Sequence, residues 1–359
     1  MRLIVPCIPL AVIFIAACEN PQQGAAPEQP AEEREAMRVL QKLHVELSLD
    51  GNRVVSAEFP DYVALLDDGF EGYHFTDADL KHVRAFSELR KLSISGDQIT
   101  DAGIEHLQEL LRLREVNLVH TRISDAGLAH LKRLTLLEKL VLTYTGITDG
   151  GIENLGELRR LRVLTLWGTK ITDAGLKRLS GLTRLQDLTL GETAITDNGL
   201  ICLSALKELR RLRIPETQIT DAGLKHLAAF RELIWLDLSD TEVTGSGFAY
   251  LKNLTNLHGV QLRDAPVSDA GLRQISQLTW LTSLNLQGTQ ITDSGASSLP
   301  QMPDLRSLLL LDTDISDESL KHLRQLKKLQ DLYLPADNVS DTGLARLKEA
   351  LPGCRIVTR

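Results

Sequence analysis

The chain has 359 residues, a formal net charge of −8 and a sequence pI near 5.7. This length exceeds what one ordinary hydrophobic core holds, so we expect several domains or one elongated repeat. Leucine dominates the apolar residues and aromatics make up only 4%, which favours a thin, regularly stacked interior. The negative charge argues against a nucleic-acid partner. The four cysteines, Cys7, Cys18, Cys202 and Cys354, are too scattered for a metal-ligand cluster or a disulfide framework.

Residues 1–17 have the anatomy of a secretory signal peptide, with Arg2 before an apolar stretch that ends in small residues. The stretch is too short to span a bilayer. Residues 15–18, Ile-Ala-Ala-Cys, resemble a bacterial lipobox, and the resemblance implies that Cys18 becomes the lipidated first residue after cleavage. An ordinary signal peptide and an uncleaved anchor are the alternatives. We expect an exported protein that is lipid-anchored to the bacterial cell membrane or outer membrane.

Residues 18–30 are rich in Pro, Gln, Ala and Glu and lack apolar periodicity, which predicts a flexible tether. Apolar residues three apart then predict a helix over 31–43. Two short β patterns, 45–49 and 54–59, flank an Asp-Gly-Asn hairpin turn. We interpret residues 31–64 as an N-terminal cap, because the end of a repeat array is otherwise an exposed apolar edge.

A repeat of 24 residues fills the rest of the chain, 65–359. Its marker is an aspartate preceded by Ser or Thr, and Gly245 stands at the one place in the series without it. The aspartates are Asp77, Asp101, Asp125, Asp149, Asp173, Asp197, Asp221, Asp269, Asp293, Asp317 and Asp341. The twelve markers therefore predict twelve coils in one register.

Each coil has the pattern LxxLxL, then usually Thr, then ITDxGL, then leucines three apart, as in residues 161–182. The first part alternates like a strand and the last has the spacing of a short helix. This pattern resembles the leucine-rich-repeat family, specifically the cysteine-containing type with its ITDxGL signature. The resemblance implies an α/β fold: a right-handed solenoid or horseshoe, with a parallel concave sheet and short convex helices.

Three rows of polar residues recur with the repeat. A threonine follows most strands, and we expect it to satisfy backbone groups of the turn. For the aspartate row we expect helix N-capping rather than a row of metal ligands, and we expect the glycine two residues later to allow close approach of coils. His82, His106 and His130 lie on successive coils, where a solvated outer face is favoured over a metal site. We predict no catalytic residues, no metal and no cofactor.

The residues between and after the strand leucines should face a ligand. In the middle coils two tryptophans and three arginines converge there, and these residue types are enriched at binding hot spots. Alternatively, Arg211 simply covers Trp235 through a cation–π contact. The candidate partner-binding residues are Lys139, Trp167, Asp187, Arg211, Arg213, Trp235, Asp237 and Arg263.

One coil departs from the pattern at Gly245, Gly259, Ala265 and Pro266, through neutral drift or because the groove is reshaped for a partner. The function that we expect is a non-catalytic protein-binding module. A structural or polysaccharide-binding envelope protein is the alternative. Similarity to F-box proteins with ITDxGL repeats also suggests a ubiquitin-ligase substrate receptor, but the lipobox argues against that function.

Overall fold

A computed structural model of the chain describes residues 29–60 and 75–359. The predicted signal peptide, Cys18 and nearly all of the predicted tether lie outside the described residues, as does the predicted boundary between residues 64 and 65. Within the described part, no helix combines the length and the apolar character that crossing a membrane requires.

The N-terminal cap consists of helix α1 (Ala31–Lys42) and the antiparallel strands β1 (Glu46–Asp50) and β2 (Arg53–Glu58). Glu33 on α1 is 0% exposed, and its carboxylate accepts hydrogen bonds from the backbone N–H of Val54 at 2.7 Å and from Nε of Arg53 at 2.8 Å. The helix is thereby joined to the hairpin through a fully paired buried charge, since an unpaired one would be strongly destabilising.

The strands of the described residues form one sheet of 14, in chain order, and every pair after β1–β2 is parallel. From β3 onward each strand is in register with the residue 24 positions later, for example Lys91 with Glu115. The remaining strands are β3 (Lys91–Ser95), β4 (Glu115–Val119), β5 (Lys139–Val141), β6 (Val163–Thr165), β7 (Asp187–Thr189), β8 (Arg211–Arg213), β9 (Trp235–Asp237), β10 (Gly259–Gln261), β11 (Ser283–Asn285), β12 (Ser307–Leu309), β13 (Asp331–Leu334) and β14 (Arg355–Thr358). The predicted solenoid of twelve coils is confirmed.

Short helices on the return path stack against one another in the same order. They are α2 (Asp77–Leu80), α3 (Asp101–Ile104), α4 (Asp125–Leu131), α5 (Asp149–Ile152), α6 (Asp173–Arg178), α7 (Asp197–Cys202), α8 (Leu224–Leu227), α9 (Asp269–Ile275), α10 (Asp293–Ala296), α11 (Asp317–Leu323) and α12 (Asp341–Ala350). Several continue as 3₁₀ turns, and the coil at Gly245 has a 3₁₀ helix, Ser246–Leu251, instead of an α-helix. Between sheet and helices the repeat leucines form one continuous core, nearly all at 0% exposure.

The threonine row binds backbone groups within its own coil, as predicted. Each hydroxyl donates to the carbonyl three residues earlier, from Thr169 to Leu166 at 2.7 Å and from Thr241 to Leu238 at 2.6 Å. Ala265 lacks this hydroxyl, and there the backbone N–H of residue 265 bonds to Leu262 O at 3.2 Å.

The aspartate row has a different role from the predicted N-cap. In most coils the residue before the aspartate makes the cap, as where Thr172 Oγ1 accepts from the backbone N–H of Ala174. The aspartate instead accepts two hydrogen bonds from the next coil: Thr172 N donates to Asp149 Oδ1 at 2.7 Å, and Thr172 Oγ1 donates to Oδ2 at 2.7 Å. The aspartate side chain is therefore not the cap, because the partner that completes its contact lies 23 residues ahead in sequence, but the Ser or Thr and Asp pair does begin the helix as predicted.

The constant spacing of two residues between the repeat aspartate and the following glycine is explained by the carboxylate of the preceding coil. A Cβ on Gly175 would lie 2.4 Å from Asp149 Oδ1, so the expected close approach of coils is confirmed. Ser319 replaces glycine in one coil, and its Oγ and N–H both donate to Asp293 Oδ1. We call the carboxylate with its Ser or Thr partner and this glycine the inter-coil bridge.

The coil at Gly245 replaces the bridge with backbone contact. Gly245 is left-handed (φ 97°), and a Cβ on Gly271 of the next coil would lie 1.9 Å from Thr244 O. Ser268 N donates to the same carbonyl at 3.3 Å, where other coils use the carboxylate. Glycine is needed on both coils because the two backbones touch.

Two bridging aspartates have depressed pKa values. Burial raises the pKa of Asp293, but hydrogen bonds from Ser316 and Ser319 outweigh it, and the bond from Ser340 lowers the pKa of Asp317. A carboxyl with a lower pKa in the folded state stabilises the fold above its unfolded pKa of about 3.9 and loses that effect as pH falls through the folded value. The stabilisation from these two bridges is therefore lost as pH falls below about 4.

We predict that Asp173→Ala lowers the free energy of unfolding by about 1–3 kcal/mol, because Thr196 N–H and hydroxyl lose their acceptor. Urea unfolding followed by circular dichroism measures the change. Asp341→Ala is the matched control, since within the described residues Asp341 starts the last helix and accepts no hydrogen bond from a later coil. Equal losses in both variants would show that the aspartates act on their own helix and not on the next coil.

Candidate partner-binding face

The parallel register brings most of the predicted partner-binding residues onto one surface, the strand face, made by the outward side chains of β3–β14. Lys139, Asp187, Arg211 and Trp235 share one register row, on β5, β7, β8 and β9. Arg213 pairs in register with Asp237 in a second row. Trp167 and Arg263 follow their strands and lie at the strand-end rim.

Asp187 lies beneath the two arginines rather than at the surface. It is 8% exposed, and it accepts from Arg211 Nε at 2.7 Å and from Arg213 Nη1 at 3.2 Å. Arg213 also donates to Thr189 Oγ1 at 3.3 Å. The carboxylate orients both guanidinium groups, whose outer donors remain exposed. Such a forked, pre-oriented donor set suits a carboxylate or a backbone carbonyl of a partner.

Trp235 is not covered by Arg211. The guanidinium of Arg211 is held by Asp187, and in the described residues the recorded cation–π contact is instead that of Arg355 over Tyr333. The Trp235 ring extends toward the following coil, where a Cβ on Gly259 would lie 2.1 Å from its Cε3 atom. Gly259, which departs from the repeat pattern in the sequence, therefore leaves the space that the Trp235 ring occupies.

The same arrangement occurs twice more on this surface. A Cβ on Gly168 would lie 2.3 Å from Tyr144 Cδ1, and one on Gly191 would lie 2.8 Å from Trp167 Cε3. In each case an aromatic residue is followed by glycine 24 positions later. This pairing is visible in the sequence and marks the positions where a surface ring is held in place.

Four side chains at the strand-end rim form a cluster that we call the aromatic ledge: His120, Tyr144, Trp167 and Glu192. The His120 and Tyr144 rings stack with centroids 4.7 Å apart and planes at 14°. Tyr144 Oη donates to Glu192 Oε2 at 2.7 Å, and Trp167 Nε1 donates to the same oxygen at 3.1 Å. The hydrogen bond to Glu192 raises the pKa of Tyr144. Of the ledge, sequence reasoning predicted Trp167 but missed His120, Tyr144 and Glu192, although the spacing of 24 residues between an aromatic residue and glycine marks Tyr144.

The rim turns are left-handed. Tyr144, Glu192 and Glu216 have φ of 53°, a conformation that favours glycine and costs other residues of order 1 kcal/mol or more. Asp240 and Asp264 continue this row and bind Arg263 at 3.3 and 3.2 Å, and the bond to Asp240 raises the pKa of Arg263. Asp237 is used internally, accepting from the Ser239 hydroxyl at 2.7 Å.

The remaining candidates stand apart from this surface. His82, His106 and His130 are half-buried beside the helices, and the part of the chain that the structure describes contains no group of three or more His, Cys, Asp or Glu arranged to hold a metal. Cys202 and Cys354 are both free thiols, and burial raises the pKa of Cys354 to about 11.

A family model described as Leucine Rich repeat matches residues 133–156 and 277–299, which supports the leucine-rich-repeat family. No curated protein sequence matches the chain. Among solved structures, an internalin from Listeria monocytogenes is similar, with a TM-score of 0.63 and 22% identity over 91% of this chain and 94% of that one. A leucine-rich-repeat protein from Leptospira interrogans has a TM-score of 0.51 and 19% identity over 77% of this chain and 80% of that one. These similarities show the fold: a leucine-rich-repeat solenoid.

We predict that Gly259→Ala displaces the Trp235 ring, because the added methyl group overlaps it, while the free energy of unfolding changes by less than about 1 kcal/mol. The indole N–H resonance of Trp235 in a heteronuclear NMR spectrum reports the displacement. Ser283→Ala, in the same register row one strand further, is the control and should leave that resonance in place. An unchanged Trp235 resonance in Gly259→Ala would contradict the seating of the ring.

Proposed function

We propose that the chain is a non-catalytic binding module whose protein partner docks on the strand face, centred on Trp167, Arg211, Arg213 and Trp235. The observation that carries the proposal is the set of held side chains: two tryptophan rings seated on glycines and two arginines oriented by one buried carboxylate. Pre-ordered Trp and Arg side chains lose little entropy on binding and dominate hot spots.

The fold supports this proposal. Repeat solenoids present extended surfaces for binding, and a partner of standard size buries about 800 Å² on each side. The recurrent threonines and aspartates, which in another setting would suggest nucleophiles or metal ligands, are committed to backbone and inter-coil bonds. The proposal therefore rests on the side chains of the strand face and its rim.

A photo-crosslinking amino acid tests where a partner docks. Placed at Ser283 on the strand face and used on intact cells, it should capture a protein, whereas the same group at Lys177 on helix α6 should capture little. Capture from Lys177 alone would move the docking surface to the helices. A polysaccharide in place of a protein in the captured product would overturn the proposed partner class.

With the captured protein in hand, we predict that Trp167→Ala and Trp235→Ala each weaken its binding by at least about 2 kcal/mol, roughly thirtyfold in Kd. Lys91→Ala, near the end of the sheet, should change Kd by less than about twofold, because its ammonium already binds Glu58 at 2.7 Å. Calorimetric titration gives Kd, and urea unfolding checks that each variant remains folded. Equal losses at all three sites would exclude a central hot spot.

We further propose that the protein is exported and anchored through lipid on Cys18. The lipobox-like residues 15–18 and the Pro- and Gln-rich residues that follow support this proposal. We predict that Cys18→Ser abolishes fatty-acid labelling and moves the protein from the membrane fraction to the soluble fraction. Cys202→Ser is the control and should leave labelling intact. Labelling that persists in Cys18→Ser would refute the anchor.

A further inference from the structure

We propose that the aromatic ledge receives a positively charged side chain, Lys or Arg, from the protein partner. The inference rests on the proposed protein-binding function and adds the chemistry of one contact. It also places that contact at the strand-end rim, beside the central patch of Arg211, Arg213 and Trp235.

Glu192 is held in place by two hydrogen bonds, and its carboxylate can accept further ones. The polar hydrogens on Tyr144 Oη and Trp167 Nε1 both point to its Oε2 atom. An ionised carboxylate has about four acceptor positions, so Oε1 and part of Oε2 remain for a further donor. Its two donors are neutral groups, so the negative charge of Glu192 is oriented without being neutralised.

The neighbouring charges favour a cation over a neutral or acidic group. Glu216 follows Glu192 at the next turn of the rim, is exposed, and its negative charge raises the pKa of both Tyr144 and Arg263. Arg263 is turned toward Asp240 and Asp264, at 3.3 and 3.2 Å. A second cation from a partner would therefore complement the charge at Glu192 and Glu216, and aromatic rings attract cations further.

The adjoining strand surface suits the aliphatic stem of such a side chain. Val141 and Thr165 are in register on β5 and β6, Val163 precedes Thr165 on the same face, and all three are half-buried. These three small neutral side chains lie on the strands that lead to Tyr144 and Trp167 of the ledge. Lys and Arg commonly lay their methylene stems along such apolar surface while the charged end reaches a polar group.

Indole N–H resonances test the inference directly, because the chain has three tryptophans and Trp280 Nε1 is bound to Leu254 O at 3.0 Å, where it serves as an internal reference. The probe is the capped peptide acetyl-Gly-Arg-Gly-Arg-Gly-amide, titrated against the folded protein. We expect the Trp167 resonance to shift saturably and the Trp280 resonance to stay. The matching Glu peptide and the neutral sugar maltohexaose should leave Trp167 unshifted.

Glu192→Gln keeps an acceptor for Tyr144 and Trp167 but removes the charge, and it should weaken peptide binding about tenfold. Asp312→Asn is the matched control: it removes one charge from a turn of the same left-handed geometry (φ 54°), five coils away, and should change Kd by less than about twofold. A static Trp167 resonance, equal binding by Glu192→Gln, or a response to maltohexaose instead overturns the inference. If crosslinking captures a protein on the strand face but the peptide titration gives any of these results, only the contact with a basic side chain is excluded. If crosslinking captures no protein there, the proposed function itself is excluded.

Discussion

One carboxylate between successive coils determines the geometry of this protein. The aspartate that begins a helix reaches forward to the backbone N–H and hydroxyl of the next coil, and it occupies the space that a side chain on the next glycine would need. The Ser or Thr, the Asp and the small residue of the bridge therefore stand at fixed positions in most coils. A single inserted residue would break three contacts at once, and for that reason the period of 24 is kept from Lys91 to Arg355.

The strict register has a consequence on the opposite side of each coil. Because every strand starts at the same point of the repeat, positions 24 apart become direct neighbours about 5 Å apart in the sheet. The residues that are neighbours on the strand face can then be identified by counting 24 positions along the sequence. The coil at Gly245 shows that the bridge can be exchanged without loss of register: Thr244 O takes the place of the carboxylate, and Val260 still pairs with Leu236 and Leu284.

Much of the fold was therefore accessible from sequence, and part of the site was not. The twelve coils, the cap of helix and hairpin, and the shared row of Asp187, Arg211 and Trp235 all follow from spacing. The direction in which each side chain points does not follow from spacing. Spacing placed Asp187 on the surface, whereas two guanidinium groups cover it, and the aspartate row fitted an N-cap because its true acceptor role needs a partner in another coil. The contact between Tyr144 and Glu192 was missed because Tyr144 reaches across a neighbouring coil. This contact depends on left-handed turns that no local sequence pattern predicts.

The pairing of aromatic residues with glycine explains how a parallel sheet can display large rings in order. In a row with neighbours about 5 Å apart, a ring that leans along the solenoid axis meets the side chain of the next coil. Glycine removes that side chain, so the ring rests against the backbone, as Trp235 does at Gly259 and Tyr144 at Gly168. A ring held in this way has already lost the rotamer freedom that binding would otherwise remove. A residue substitution at these glycines would therefore move the ring while leaving the leucine core in place, which separates the stability of the solenoid from the shape of its strand face.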